Sequence, residues 1–214
     1  MDEDLSIINN NTRNEKIKNF LVNNKYKLIF GIILLFIFMI SFYSYDNYKV
    51  KQKKKISDNF NTAILDYKNN GDIKNVEKLI QIVEKKDPTY SSLSLYFIID
   101  NKLLTDRQEI NRLFDILIND TSTEVEIINL IIYKKALFNA DHIQEHELLK
   151  ILNPIINAKS VWQSHALYLI GEYFYSKEQK EKAKEFFVKI MGLENSNTEI
   201  KLEAEKRLKR DLSE

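Results

Sequence analysis

LIFGIILLFIFMISFYSY, residues 28–45, is the stretch of sequence that decides the architecture of this chain, and it contains no charged residue. A helix rises ~1.5 Å per residue, so the run would be about 27 Å long, close to the ~30 Å hydrocarbon core of a bilayer. Tyr26, Tyr43, Tyr45 and Tyr48 stand at its two ends, where an aromatic belt would lie. The run predicts a transmembrane helix. A buried helix of a soluble protein is disfavoured, because such helices keep a polar stripe.

The anchor is expected to be uncleaved. Residues 1–27 form a long head, the apolar run exceeds the ~7–15 residues of a signal-peptide core, and no small-residue cleavage motif follows it. The lysine-rich residues 49–55 continue the helix without a breaker. They could bind anionic headgroups, although a solvated helix face is the favoured interpretation.

Flanking charge leaves the orientation of the span open. Basic residues are equally frequent on both sides, and long domains are translocated regardless of flanking charge. The residues concerned are Arg13, Lys16, Lys18, Lys25 and Lys27 before the span, and Lys49, Lys51, Lys53, Lys54 and Lys55 after it.

Composition excludes several classes of function. The net charge is +1, which gives no basic footprint for nucleic acid. The chain has no cysteine, so thiol catalysis and cysteine metal sites are excluded, while an oxidising compartment is permitted. The four glycines are isolated from one another, so no glycine-rich phosphate loop is present.

The sequence after the span predicts an all-α domain. Only 4 Gly and 2 Pro occur in the chain, no segment alternates with period two, and apolar residues recur at helical spacing. The predicted organisation is a partly disordered head (1–24), an anchor helix (25–48) and a helical domain (49–210). Five cap-plus-three pairs predict helix starts: Thr105/Gln108, Thr121/Glu124, Asp141/Gln144, Ser160/Gln163 and Ser196/Glu199.

One unit, Ser164–Asn197, resembles the 34-residue tetratricopeptide (TPR) pattern of two packed helices. Glycine and alanine would let the helices approach closely, and aromatic rings would fill the gap between them. The residues predicted to pack in this way are Leu167, Ile170, Gly171, Phe174, Ala183, Phe187 and Ile190. A second unit fits Ser57–Tyr90. Residues 91–160 give no clean match, and we expect about four helices there that form two degenerate repeats. A generic helical bundle with chance matches is the alternative.

The whole layout resembles the YfgM-type ancillary subunits of the secretion translocon and their alphaproteobacterial relatives, the tetratricopeptide-repeat-like inner-membrane proteins. The resemblance covers about Lys25 to Leu208. Its best stretch is Leu152-Asn-Pro-Ile-Ile … Val161-Trp162-Gln-Ser-His-Ala-Leu … Gly171 … Ala183 … Phe187. It implies a bacterial inner-membrane protein with a cytoplasmic N-terminus and a periplasmic domain. The implied partners are translocon subunits, periplasmic folding factors or secreted clients.

The segment His142-Ile-Gln-Glu145-His146 matches the HxxEH spacing of inverted zinc proteases. If Asp141 caps a helix there, the segment is a polar helix start whose acidic residue favours the helix dipole. A metalloprotease is therefore the less favoured alternative, and we expect no enzyme activity, no metal and no cofactor. Whether the two histidines bind metal incidentally is open.

Surface recognition is the function that the sequence favours. On the first helix of the clearest unit, TPR geometry would expose His165, Tyr168, Glu172 and Tyr175 on a concave face suited to peptides. The alternative is that one or both tyrosines are half-buried against the following helix. We expect a non-enzymatic protein-binding scaffold without nucleic-acid or small-molecule partners. An envelope-assembly or cell-division adaptor of the same architecture is the alternative.

Overall fold

A computed structural model describes residues 15–70 and 74–212. Within these two ranges the protein contains helices and turns but no strand, which confirms the all-α prediction. The disorder predicted for the head falls mainly on residues 1–14, which lie outside the described residues. Residues 15–23 are helical.

The first long helix, α1, runs without interruption over Lys25–Asn70. Its N-terminal part contains the apolar run, and no part of that run is buried against the rest of the protein. One helix near the N-terminus is thus long and apolar enough to cross a membrane. Lys25 lies over the ring of Tyr26 at 5.1 Å, and Lys49 over that of Tyr45 at 4.8 Å. The helix continues beyond the span, as predicted.

Over residues 74–212, eight shorter helices follow α1. In chain order they are α2 (Lys74–Glu84), α3 (Tyr90–Asp100), α4 (Arg107–Asn119), α5 (Val125–Asn139), α6 (Glu145–Ile156), α7 (Gln163–Ser176), α8 (Lys180–Met191) and α9 (Thr198–Arg210). Lys86, Lys102 and Glu178 adopt the left-handed conformation, with φ of 58°, 52° and 60°, in the turns that follow α2, α3 and α7. A residue in this conformation just beyond the last helical turn ends the helix.

The chain divides into a unit of residues 1–55 and a unit of residues 56–214. In the second unit each helix packs on the next one in sequence, and α2 packs on α4, α5 on α7 and α7 on α9. This packing buries two apolar clusters. The first joins the C-terminal part of α1 with α2, α3, α4 and Ile131 of α5. The second joins α5 to α9 and Leu212, which follows α9. Helix α5 contributes to both clusters.

The predicted caps lie one to three residues away from the observed ones. Asp106 rather than Thr105 caps α4, accepting hydrogen bonds from the backbone N–H of Gln108 and Glu109 at 2.9 and 3.2 Å. Asn197 rather than Ser196 caps α9 in the same way. Three further caps were predicted wrongly, because α5, α6 and α7 begin after Glu124, Gln144 and Trp162.

Candidate functional site

Helix α7 carries all four residues predicted to bind peptides, and Gly171 sets its distance from α8. A Cβ atom at Gly171 would lie 2.7 Å from Cε1 of Phe187. Only a residue without a side chain allows this approach, so the ring of Phe187 lies directly against the backbone of α7. All the residues predicted to pack α7 against α8 are buried, namely Leu167, Ile170, Gly171, Phe174, Ala183, Phe187 and Ile190.

His165 lies in an aromatic cluster at the start of α7. The ring of Trp162 stacks on that of Tyr133, with 5.9 Å between centroids, and the imidazole is 5.1 Å from the former and 5.9 Å from the latter. Nδ1 of His165 is buried without a hydrogen-bond partner among the described atoms. Burial lowers the pKa of His165, and the carbonyl of Val161 opposes that effect only in part. Burial therefore disfavours the charged imidazolium in the folded protein.

Tyr168, Glu172 and Tyr175 all interact with one residue of α9. Nε and Nη2 of Arg207 donate to the two carboxylate oxygens of Glu172 at 2.7 and 2.6 Å, and the guanidinium lies 4.7 Å from the ring centroid of Tyr175. Burial raises the pKa of Tyr168, and the nearby charge of Glu172 raises it further. The pKa of Arg207 is raised by its hydrogen bonds to Glu172 and Asp211.

The four predicted recognition residues therefore fall into two groups. His165 packs against α5, whereas the other three contact α9, and all four are half-buried. A partner that binds this face of α7 would contact surfaces already shared with α5 and α9. Their role in peptide binding stays a prediction.

The histidine segment has a different local structure from the one that its spacing suggested. His142 lies in the turn after α5, and α6 begins only at Glu145. The carboxylate of Glu147 accepts from the backbone N–H of Gln144 at 3.0 Å, which fixes this start. Because His142 precedes the helix, it does not share a helix face with His146. Among residues 15–70 and 74–212, no group of three or more acidic or histidine side chains could hold a metal ion.

Sequence reasoning missed a polar groove formed by α4, α5 and α6. Asn111 and Asn139 exchange hydrogen bonds through their amides, at 2.8 and 3.1 Å, and Nη2 of Arg107 donates to Oδ1 of Asn139 at 3.1 Å. This network forms part of a groove of about 730 Å³. The available signal was the pair of amides themselves, Asn111 within α4 and Asn139 at the end of α5.

Comparison with known proteins gives no relative from which a function could be carried over. No protein-family model matches the chain, and neither a curated protein nor a solved structure matches it.

Proposed function

We propose that the protein is a membrane-anchored, non-enzymatic scaffold whose TPR-like helical domain binds protein partners. The observation that carries the proposal is a recurrence in the buried residues of successive helix pairs. Five buried residues of α5 and α6 each have a buried counterpart in α7 or α8, 35 residues later in the sequence. Glu172 and Arg207 are separated by the same 35 residues. The pairs are Ile132/Leu167, Ala136/Gly171, Leu148/Ala183, Leu152/Phe187 and Ile155/Ile190.

The recurrence extends toward the N-terminus of the domain. Leu113 and Leu117 of α4 precede Leu148 and Leu152 of α6 by that separation. Phe60 and Ala63 of α1 likewise precede Leu95 and Ile98 of α3, and all of these side chains are buried. Helix pairs that repeat in this way are the construction principle of repeat proteins, which use the surfaces of successive helices to bind polypeptides.

The mechanism in this proposal is tethering. A domain held at a membrane meets partners in that membrane at a raised effective concentration, so a weak binding surface is sufficient. The proposed partners are subunits of the secretion channel, periplasmic folding factors or secreted chains, as the resemblance to YfgM-type proteins implies. This requires a cytoplasmic N-terminus and a periplasmic domain in the bacterial inner membrane.

A pair of cysteine variants tests the orientation, since the chain has no cysteine of its own. Lys18→Cys and Glu194→Cys each place one thiol at an exposed position on opposite sides of the span. Intact cells are treated with a thiol reagent that crosses only the outer membrane, and lysed cells serve as the control. We expect labelling at position 194 alone. Labelling at position 18 alone would refute the periplasmic location, and labelling at both would refute the span.

Photo-crosslinking tests partner binding in the native membrane. A benzophenone side chain replaces either Leu137 of α5 or Val188 of α8, which are 53% and 52% exposed. We expect secretion-channel subunits, folding factors or secreted chains to be crosslinked from position 137 and not from position 188. Equal products from both positions, or none from either, would count against a scaffold.

A further inference from the structure

An apolar cavity opens between α3 and α5, with α4 as its floor. Its volume is about 210 Å³. It is lined by Tyr96, Ile99 and Asp100 of α3, Phe114 of α4, and Lys134, Leu137 and Phe138 of α5. Leu137 is 53% exposed, although most apolar residues of α5 are covered. The cavity has room for one large side chain, and it is too small for a whole acyl chain.

The inner wall of the cavity is held rigidly by contacts behind it. The centroid of the Phe138 ring lies 6.0 Å from that of Phe114, and the guanidinium carbon of Arg107 lies over the Phe138 ring, 4.8 Å from its centroid. Nη2 of Arg107 also donates to Oδ1 of Asn139, in the amide network described above, at 3.1 Å. A cavity whose wall is already ordered binds a side chain at a smaller entropic cost, because the wall itself need not be ordered on binding.

Two charges stand at the rim. Nζ of Lys134 lies 4.3 Å from the ring centroid of Tyr96, and within the described ranges no carboxylate pairs with it. The adjacent Lys135, in contrast, donates to Asp115 at 2.6 Å. Asp100 also lines the cavity and forms no ion pair with any described residue. The rim thus offers one cation on the α5 side and one carboxylate on the α3 side.

We propose that this cavity binds the apolar side chain of a partner polypeptide whose neighbouring carboxylate pairs with Lys134. Asp100 repels a second carboxylate, so the segment carries a single acidic residue beside its apolar anchor. Leu137 occupies on α5 the position that Glu172 occupies on α7, since 35 residues separate the two in sequence. The inference rests on the proposed scaffold function and moves its recognition site from α7 to α5.

A fluorinated probe peptide tests the cavity directly. The full-length protein is placed in phosphatidylcholine nanodiscs. It is titrated with a short glycine–serine peptide that contains one 4-fluorophenylalanine followed by one glutamate. Fluorine NMR follows the ring signal, which broadens and shifts when the ring enters the cavity, even if the affinity is millimolar. Two control peptides are used. In the first, a fluorine-tagged serine replaces the fluorophenylalanine, and in the second, glutamine replaces the glutamate.

Single substitutions assign the binding to the cavity. Leu137→Glu is expected to weaken binding at least about tenfold, because it places a carboxylate where apolar surface is buried. Lys134→Gln is expected to weaken binding a few-fold for the glutamate peptide only, because a partly exposed ion pair contributes little. Val188→Glu and Lys135→Gln are the matched controls, at a similarly exposed apolar residue and at the adjacent lysine, and should bind as the wild type does.

Three outcomes would overturn the proposal. They are no signal change with the wild type at millimolar peptide, equal binding by Leu137→Glu, and equal binding of the peptide without its aromatic ring. If crosslinking from position 137 still gives partner proteins in any of these cases, the scaffold function stands and the cavity assignment alone fails. If crosslinking fails while the peptide binds, the cavity is real and the proposed partners are wrong.

Discussion

Gly171 and Phe187 show how a single residue fixes the spacing of two helices. The Phe187 ring is fully buried and cannot swing away from an added Cβ atom. For Gly171→Ala we expect an overpacking cost of about 1–3 kcal/mol, which exceeds the ~1 kcal/mol gained in helix propensity. Chemical denaturation of the full-length protein, followed by tryptophan fluorescence, measures the difference.

Gly192→Ala is the matched control for that substitution. Its Cβ atom would lie 3.6 Å from the carbonyl oxygen of Lys189, an ordinary contact. We expect little change in stability there. A Gly171→Ala variant as stable as the Gly192→Ala variant would mean that α7 and α8 are not packed as closely as described.

His165 makes stability depend on pH. An unfolded histidine has a pKa of about 6.5, and burial lowers the pKa of His165 in the folded protein. As the pH falls below about 6.5, the unfolded state takes up a proton that the folded state does not. The free energy of unfolding therefore falls until the pH reaches the lower pKa of the folded protein.

Comparing His165→Gln with the wild type measures this contribution. We expect the wild type to lose more stability than the variant when denaturation is repeated at pH 7.5 and then at pH 5.5. His146→Gln, at an exposed position of α6, controls for the loss of a histidine as such. An identical loss in the wild type and in His165→Gln would show that the imidazole is accessible to water.

Residue-level patterns in the sequence located some positions and missed others. The small and aromatic residues between α7 and α8 were predicted correctly to be buried, because steric requirements limit which residue types fit a close helix contact. The predicted helix caps differ from the observed ones, because several nearby Ser, Thr, Asp and Asn residues can each accept a hydrogen bond from a free backbone N–H. Only the path of the chain decides which of them caps the helix. In α4 the cap is Asp106 and not Thr105.

At the scale of elements, α9 contacts the rest of the domain through both polar and apolar side chains. Ala204 is the buried residue of this strongly charged helix. The link between Arg207 and Glu172 is only partly exposed, with side-chain exposures of 24% and 29%. Since hydrogen bonds between partly buried charged groups contribute about 1–3 kcal/mol, we expect a coupling energy of that order between Glu172→Gln and Arg207→Met.

Hydrogen exchange of the α9 amides in the two single variants and in the double variant gives this coupling energy. The Lys206–Glu203 pair on the same helix is the control, because its side chains are 54% and 49% exposed and such pairs contribute about 0.2–1 kcal/mol. A coupling no larger than that of the control would show that apolar contacts alone hold α9.

The same scale explains why residues 91–160 gave no clear repeat. Asn139 of α5 lies 35 residues before Phe174, and Lys135 lies 35 before Ile170. Phe174 and Ile170 of α7 are apolar and buried. At the corresponding positions of α5, Asn139 hydrogen-bonds to Asn111 and Lys135 pairs with Asp115. In the proposed repeat these positions are equivalent but carry different residue types, so a pattern based on residue type does not detect it.

At the scale of the whole molecule, the apolar run of α1 is long enough to cross a membrane, and we expect it to hold the protein there. A charged residue at the centre of a span costs about 2.5–3.5 kcal/mol in insertion experiments. We expect Phe36→Asp combined with Met39→Asp to release most of the protein into the supernatant of a carbonate extraction. The variant Phe36→Leu with Met39→Leu should remain in the membrane pellet. Retention of the aspartate variant would show that the chain is held there by something other than its span.

The sequence by itself determined the membrane-length helix, the all-α class and the close contact of α7 with α8. These follow from local physics: hydrophobic length, helical periodicity and the size of side chains. Only the tertiary structure decided that Arg207 forms an ion pair with Glu172, that the amides of Asn111 and Asn139 hydrogen-bond to each other, and that a cavity opens beside Leu137. These features join residues on different helices, and which side chains meet depends on how the helices pack, which no local pattern specifies.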